Sequence, residues 1–333
     1  MTLPLADTSF VEASWILVVK SIVIFAAVFA IAPLLTVAER KILGRFQARY
    51  GPNRVGPFGL LQPLADAVKL ITKEGYRPAN SVPLLWAMAP AIVIFTGVAT
   101  LAIIPFGDVK DGVGFYGIDV PIGILYFFAF GSIAFYGLLL GGWASGSKYS
   151  FLGAMRSAAQ LISYEISMGL ALLGTILMAG SLSLVSVVEA QHSIWYVVPQ
   201  LVGFLIFMVA GFAEANRAPF DLPEADAELV QGYMTEYGGM RYGSYALAEY
   251  IEMFVISGIA ATFFLGGWHG PGPGFLDPIW VLVKILALVF VFMWVRATLP
   301  RIRYDQLMSL GWKVLLPLAT LNVLVTAVLV TVT

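Results

Sequence analysis

The sequence predicts an all-α, polytopic membrane protein whose 333 residues form a single membrane domain of eight transmembrane helices. Two properties of the composition support this class: 59% of the residues are hydrophobic and only 12% are charged. That charged share is about half of what soluble globular proteins contain, so a water-soluble fold is excluded. The third observation is the spacing of the charges, which leaves eight stretches close to the roughly 20 apolar residues that a spanning helix needs.

The uncharged stretches set the predicted spans, and only the seventh is interrupted, by Lys284. The first stretch can be extended back past Lys20, and before this extended run the chain has Asp7 and Glu12 but no basic residue, so the positive region of a cleavable signal peptide is missing. We therefore expect the first helix to stay in the mature protein. In chain order the predicted spans are 21–38, 78–107, 120–147, 166–188, 190–213, 253–276, 278–295 and 314–333.

The positive charges predict how the chain is oriented. Sixteen of the nineteen Lys and Arg residues lie in the connections that follow odd-numbered spans, whereas the opposite face has only Lys110. Short loops rich in Lys and Arg remain on the cytoplasmic side of a membrane. Both termini are therefore expected outside, with four cytoplasmic loops that carry amphipathic and short helices.

The first cytoplasmic loop, residues 39–81, is a long polar insertion. Turn formers dominate 51–57, and after them apolar residues recur at helical spacing from Leu60 to Ile71. This pattern predicts an amphipathic helix at the bilayer surface. Two roles stay open for that helix: it anchors the loop, or it forms the rim of an entrance for a lipid-soluble molecule.

The acidic loop, residues 214–248, breaks the rule that this side of the protein is basic. Residues 214–252, which are this loop and the start of the next helix, contain eight acids against Arg217 and Arg241. The formal charge of this window is 2 − 8 = −6. Crowded carboxylates out of bulk water can share protons, which favours a proton relay over a solvated acidic loop. A divalent metal site is a weaker alternative, because no EF-hand order occurs. The acids are Glu214, Asp221, Glu224, Asp226, Glu228, Glu236, Glu249 and Glu252.

Three charges lie inside or at the ends of apolar stretches. Glu165 is expected to open the fourth span, where an acid is favoured by the helix dipole. Lys284 is near the start of the seventh span, and snorkelling to the interface competes there with a functional role. Arg296 closes the same span, where a cation suits the C-terminal end of a helix dipole.

The residue types limit which cofactors the chain itself can hold. It has no cysteine and only two histidines, His192 and His269, both on outer connections. Iron–sulfur ligation by cysteine is therefore excluded, and little remains for metal or haem ligation. We expect no bound metal, flavin or iron–sulfur cluster on this chain, so any redox cofactor belongs to another one. The isoelectric point of about 6.1 gives no basic footprint for nucleic acid.

Long motifs occur in four parts of the chain. The first loop contains Glu39-Arg40-Lys41-Ile42-Leu43-Gly44, Arg49-Tyr50-Gly51-Pro52-Asn53-Arg54-Val55-Gly56 and Ala65-Asp66-Ala67-Val68-Lys69-Leu70. The second part contains Lys148-Tyr149-Ser150-Phe151-Leu152-Gly153 and Ser163-Tyr164-Glu165. The third part contains Pro219-Phe220-Asp221-Leu222-Pro223-Glu224-Ala225 and Ala248-Glu249-Tyr250. The fourth part contains Arg303-Tyr304-Asp305-Gln306. Together these strings resemble the H-type membrane subunits of respiratory complex I, the proton-pumping NADH:quinone oxidoreductase, over nearly the whole chain.

The resemblance implies a role for each matching residue. It implies a chain without redox cofactors that forms the membrane side of a quinone-access tunnel and couples quinone reduction to proton translocation. The implied tunnel residues are Glu39, Arg40, Asp66 and Ala67. The implied proton path is Glu165, Glu214, Arg217, Asp221, Glu224, Asp226, Glu228, Glu249, Tyr250 and Arg296. Glu252 is an additional acid to which the resemblance gives no role.

The resemblance also implies partners and a location. Quinone is the expected substrate, and the expected partners are the iron–sulfur and quinone-site subunits of the peripheral arm, neighbouring membrane-arm subunits and lipid. The expected location is the bacterial cell inner membrane, with the mitochondrial inner membrane as the other option. Two alternatives stay open: a stand-alone ion-coupled secondary transporter, and a membrane subunit of a related hydrogenase complex.

Overall fold

The computed structural model describes residues 14–110, 113–222 and 230–332. Within those ranges the protein is helical apart from turns and one antiparallel pair of two-residue strands, in which β1 (Val109–Lys110) pairs with β2 (Val113–Gly114). The predicted all-α class is therefore confirmed in its main feature. The strand pair is too short to form a layer of its own.

Eleven α-helices follow one another in the described residues. They are α1 (Ser14–Phe46), α2 (Gln62–Thr72), α3 (Pro83–Leu101), α4 (Gly123–Ala144), α5 (Lys148–Ala179), α6 (Leu184–Glu189), α7 (Leu201–Glu214), α8 (Gly239–Phe264), α9 (Asp277–Thr298), α10 (Tyr304–Leu310) and α11 (Leu316–Val332). A π-helical turn, Gly311–Leu315, joins α10 to α11.

Seven helical units of the described chain are long and apolar enough to cross a membrane, which makes the chain an integral membrane protein. They are α1, α3, α4, α5, α8, α9 and the continuous α10–α11 unit. Among them α8 is the most buried, with 78% of its apolar window inside the protein, against 18% for α1 and 17% for α10–α11. The bundle is therefore built around α8, while α1 and α11 present apolar surface outward.

The predicted count of eight spans is not reproduced in the described residues, because the fifth predicted span is shorter than expected. Residues 190–200 form turns, and only the 14 residues of α7 are helical. Gln191 fixes the turns: its side-chain oxygen accepts from Tyr196 N at 3.2 Å and Gly266 N at 3.0 Å. Fourteen residues make a helix of about 21 Å, less than the roughly 30 Å of a bilayer core.

Two predicted helix starts are wrong because the prediction places helix boundaries at charged residues. Helix α5 begins at Lys148, so Glu165 lies in the middle of a 32-residue helix and not in its first turn. Helix α8 begins at Gly239, ahead of the predicted residue 253, and takes the end of the predicted acidic loop into the helix. Within the bundle Glu165 of α5 accepts a hydrogen bond from Ser132, and Glu249 of α8 lies close to Arg217, as described below.

The first loop contains the predicted amphipathic helix as α2, preceded by a 3₁₀ turn at Pro57–Gly59. Leu64, Val68 and Ile71 point away from the rest of the chain and remain exposed. The opposite face of α2 packs against α8 and α1. The loop is thus held against the bundle while its apolar side chains stay available to lipid or to another chain.

Candidate functional site: buried charges and carboxyl groups

A buried ion pair joins the end of α1 to the segment that follows α7. Glu39 and Arg217 are shielded from solvent, with 3% and 5% relative exposure. Arg217 Nη1 donates to both carboxylate oxygens of Glu39, at 3.2 Å to Oε1 and 3.0 Å to Oε2. Arg296 Nη1, from the C-terminal end of α9, donates to the same carboxylate. One buried acid therefore holds two arginines from distant parts of the chain.

Arg217 also faces α8. Its Nη2 lies 3.9 Å from Glu249 Oε2, and its guanidinium carbon stacks 4.2 Å from the centre of the Tyr250 ring. Burial by itself lowers the pKa of Arg217, but Glu39, Tyr250 and Glu249 outweigh it and raise that pKa above its usual value. Arg217 is thus a permanent positive charge between two acids. We call Glu39, Arg217, Glu249, Tyr250 and Arg296 the Glu39 cluster.

Gln160 of α5 fixes the backbone that presents Arg217. Its amide nitrogen donates to the carbonyl oxygens of Ala213 at 2.7 Å and Phe220 at 2.9 Å, on either side of the arginine. Gln160 is completely buried, and Ala213 and Phe220 are buried as well. Sequence reasoning missed this residue, because a single glutamine within an apolar helix gives no signal of what it contacts.

Asp221 pairs with an arginine that is not part of the Glu39 cluster. Its carboxylate accepts a hydrogen bond from Arg301 Nη2 at 2.9 Å, beyond the end of α9. The other predicted path acids of this segment, Glu224, Asp226 and Glu228, lie outside the described residues. Their place in a path stays a prediction.

The predicted tunnel residues fall into two groups. Glu39 belongs to the buried cluster, whereas Arg40, next to it in the chain, donates from Nη1 to Asp66 Oδ2 of α2 at 2.8 Å. Partial burial raises the pKa of Asp66, but hydrogen bonds from Arg40, Gln62 and Lys69 outweigh it and lower that pKa below its usual value. Ala67, half-buried, follows Asp66 on α2. The Arg40–Asp66 pair therefore ties α2 to the end of α1.

Two further predicted acids lie within the bundle. Glu165 of α5 accepts a hydrogen bond from the Ser132 hydroxyl of α4 at 2.9 Å. Glu214, the last residue of α7, is 6% exposed, and its Oε2 is buried without a hydrogen-bond partner in the described part of the chain. The two carboxyl groups are close enough to interact electrostatically.

Two cavities lie against α8. One lies between α1, α3 and α8 and is lined by Ile31, Ala32, Leu101, Tyr250, Ile251 and Phe254. A larger cavity lies between α3, α4, α7 and α8 and has Glu214 and Glu252 in its wall. Arg40, Asp66 and Ala67 line neither of these cavities.

Lys284 has a local role that accounts for its burial. Its Nζ donates to the carbonyl oxygens of Gly267 and His269, both at 2.7 Å, and lies 4.4 Å from the centre of the Trp195 ring. These carbonyls belong to the turns that follow α8. The lysine therefore closes the end of α8 against α9 and does not snorkel toward water.

No group of three or more His, Asp or Glu side chains in the described ranges is arranged to hold a metal ion. The acids near the Glu39 cluster face arginines, a serine or each other. Their arrangement suits the holding and passing of protons more than the oxygen cage of a divalent cation.

Comparison with known proteins gives a consistent result. The model of a family described as NADH dehydrogenase matches residues 19–327. The first of the NADH-quinone oxidoreductase H subunits of Geobacter metallireducens is 53% identical, over 92% of this chain and 94% of its own length. The NADH-quinone oxidoreductase H subunits of Protochlamydia amoebophila and Rhodospirillum centenum are 50% and 47% identical, over 90% and 95% of this chain and 93% and 94% of their own lengths.

Proposed function

The chain belongs to the NADH dehydrogenase family as a membrane-embedded H subunit of NADH-quinone oxidoreductase, and we propose that it couples quinone reduction to proton translocation there. In this proposal the chain forms the membrane side of the quinone-access tunnel. A stand-alone transporter and a hydrogenase component are disfavoured, since the relatives are named as parts of NADH-quinone oxidoreductase and match more than nine-tenths of the chain.

The Glu39 cluster is the observation that carries the proposal. Arg217 is held between Glu39 on one side and Glu249 on the other, with Tyr250 across its face. Two acids thus compete for one buried cation. A change of charge at either acid therefore alters how strongly Arg217 is attracted to the other acid. We propose that this competition gives the cluster two states that a remote reaction can bias, which is the physical requirement for coupling.

The reduction of quinone would favour one of these two states of the Glu39 cluster over the other. Reduction of a quinone to a quinol consumes two protons and changes the charge at the buried end of its site. We assign electron transfer to partner subunits of the complex, because this chain has no cysteine with which to ligate iron–sulfur clusters. The chain's own contribution is to bind the quinone, shield it from water and move protons along its carboxyl groups.

The first loop is the proposed entrance for quinone. Helix α2 leaves Leu64, Val68 and Ile71 exposed, a surface that suits lipid tails and the isoprenoid tail of a quinone. The Arg40–Asp66 pair holds that helix in register with the end of α1. Ala67, a small and half-buried residue, follows Asp66 on this helix.

The same proposal predicts how the chain is oriented in the membrane and which subunits surround it. We propose that α7, together with the turns before it, completes an eighth crossing, which places both termini on the outer side and the basic loops inside. The basic side then faces the peripheral arm, and neighbouring membrane-arm subunits cover the apolar flanks. The relatives named above come from bacteria, which favours the cell inner membrane.

The test uses the complete complex in proteoliposomes, with Glu214→Gln compared with Glu189→Gln. Glu189 is an exposed acid at the end of α6 and serves as the matched control. We expect Glu214→Gln to lower NADH-driven proton translocation by roughly fivefold or more, the size of a typical coupling energy, and Glu189→Gln to behave like the wild type. Wild-type translocation in Glu214→Gln would contradict the proposed coupling.

A further inference from the structure

The larger cavity, which we call the Glu214 cavity, contains an acid with no assigned role. Its wall is built from α3, α4, α7 and α8, and the titratable residues in it are Glu214 and Glu252. The other lining residues are apolar, glycine or threonine. Thr96 and Thr100 already donate their hydroxyl protons to backbone carbonyls, at 2.9 Å to Val93 O and 2.9 Å to Gly97 O. The exchangeable protons facing this cavity therefore belong to the two carboxyl groups.

One carboxyl oxygen of Glu214 has no hydrogen-bond partner among the described residues. Its Oε2 is buried and accepts no hydrogen bond from the described residues, although burial of an unpaired charged oxygen is costly. Gly131 of α4 leaves space beside it: a Cβ at that position would lie 4.0 Å from Glu214 Oε1. The side chains of Glu214 and Glu252 both line the Glu214 cavity.

Glu252 also continues the Glu39 cluster into the bundle. It follows Glu249 by three residues on α8, so the two side chains lie on the same face about 4.5 Å apart along the helix axis. Glu249 contacts Arg217, and Glu252 interacts electrostatically with Glu214. Glu214 in turn interacts with Glu165, which α4 holds through Ser132. The carboxyl groups thus form a series from Glu249 through Glu252 and Glu214 to Glu165.

We infer that Glu252 is a proton-carrying residue that exchanges one proton with Glu214 across the Glu214 cavity and so connects the Glu39 cluster to Glu165. The inference deepens the proposed coupling function and rests on it. In the exchange an O–H bond breaks on one carboxyl group and another forms on its partner, so one negative charge moves and none is created. A single shared proton is favoured because two carboxylates in one cavity repel each other.

The first test compares Glu252→Gln with Glu214→Gln in the complete complex in proteoliposomes, with Glu189→Gln as the exposed control. We expect Glu252→Gln to lower NADH-driven proton translocation by roughly fivefold or more, as Glu214→Gln does. NADH oxidation by a water-soluble acceptor, which bypasses the membrane arm, should stay at the wild-type rate. Glu252→Asp keeps a carboxyl group and should recover much of the translocation, which a purely structural role would not predict.

The outcomes separate this inference from the proposed function. Wild-type translocation in Glu252→Gln together with loss in Glu214→Gln overturns the role of Glu252 and leaves the coupling function standing. Wild-type translocation in both variants overturns the coupling function as well. Loss in Glu252→Gln with recovery in Glu252→Asp supports the exchange.

A second test needs no substitution and therefore does not depend on assembly of a variant. Dicyclohexylcarbodiimide reacts with protonated carboxyl groups that are away from water, and mass spectrometry of the treated wild-type complex locates the adduct. We expect one adduct per chain, on Glu214 or on Glu252. Adducts on neither residue would overturn the shared proton. Protection by Na⁺ at constant pH would also overturn it, because the pair would then hold a cation.

Discussion

Arg217 donates to both carboxylate oxygens of Glu39, a residue 178 positions earlier in the chain. The contact joins the end of α1, one of the most outward-facing helices of the bundle, to the segment between α7 and α8. Because both side chains are buried, neither charge can be hydrated if the other is removed. The ion pair therefore links the fold of this region to the charge state of its acids.

We predict that Glu39→Gln destabilises the protein by about 3–5 kcal/mol, because it leaves Arg217 buried without its main counter-charge. The measurement is the thermal dissociation temperature of the complete complex. Asp305→Asn is the control, since Asp305 pairs with Arg303 in an exposed position. Equal dissociation temperatures for Glu39→Gln and the control would show that Glu39 does not neutralise a buried charge.

Gln160→Leu should weaken the segment that presents Arg217. The change leaves the carbonyls of Ala213 and Phe220 buried without their donor, which costs about 1–3 kcal/mol. We expect lower quinone-dependent NADH oxidation as well, because Arg217 loses its fixed position. Gln231→Leu, at an exposed glutamine, is the matched control. If the two variants oxidise NADH equally fast, Gln160 does not position the arginine.

A bulky residue at Ala67 tests the proposed entrance. Ala67→Phe places a large side chain next to Asp66 on the helix of the proposed entrance, so we expect a larger rise in KM for long-tailed quinones than for short-tailed ones. The ratio of the two KM values is the measured quantity, and the short quinone serves as the internal control. An equal rise for both quinones would remove Ala67 from the entrance.

Glu224→Gln and Glu228→Gln test the part of the proton path that lies outside the described residues. Both substitutions keep the side-chain volume and remove a proton-carrying group. We expect lower quinone-dependent NADH oxidation or proton translocation, with assembly unchanged on native gels. Wild-type coupled rates in both variants would count against a relay through this segment.

Several features followed from the sequence because they depend on local pattern. Uncharged stretches near the length of a bilayer core predicted the helical class and most of the spans, and turn formers followed by helical apolar spacing predicted α2. The long motifs around Glu39, Asp221 and Glu249 predicted the family that the comparisons found. Each of these signals lies within a few tens of residues of chain.

Contacts between helices were decided only by the tertiary structure. Whether Glu39 faces a tunnel mouth or Arg217 depends on how α1 is rotated against the segment after α7, and no local pattern contains that rotation. The same holds for Glu252, whose proposed role depends on its lining the same cavity as Glu214. From the sequence, helices are expected to end near Glu165 and Glu252 because charges are costly in lipid. In the bundle Glu165 accepts a hydrogen bond from Ser132 and Glu252 lines a cavity together with Glu214, so α5 and α8 continue through these acids.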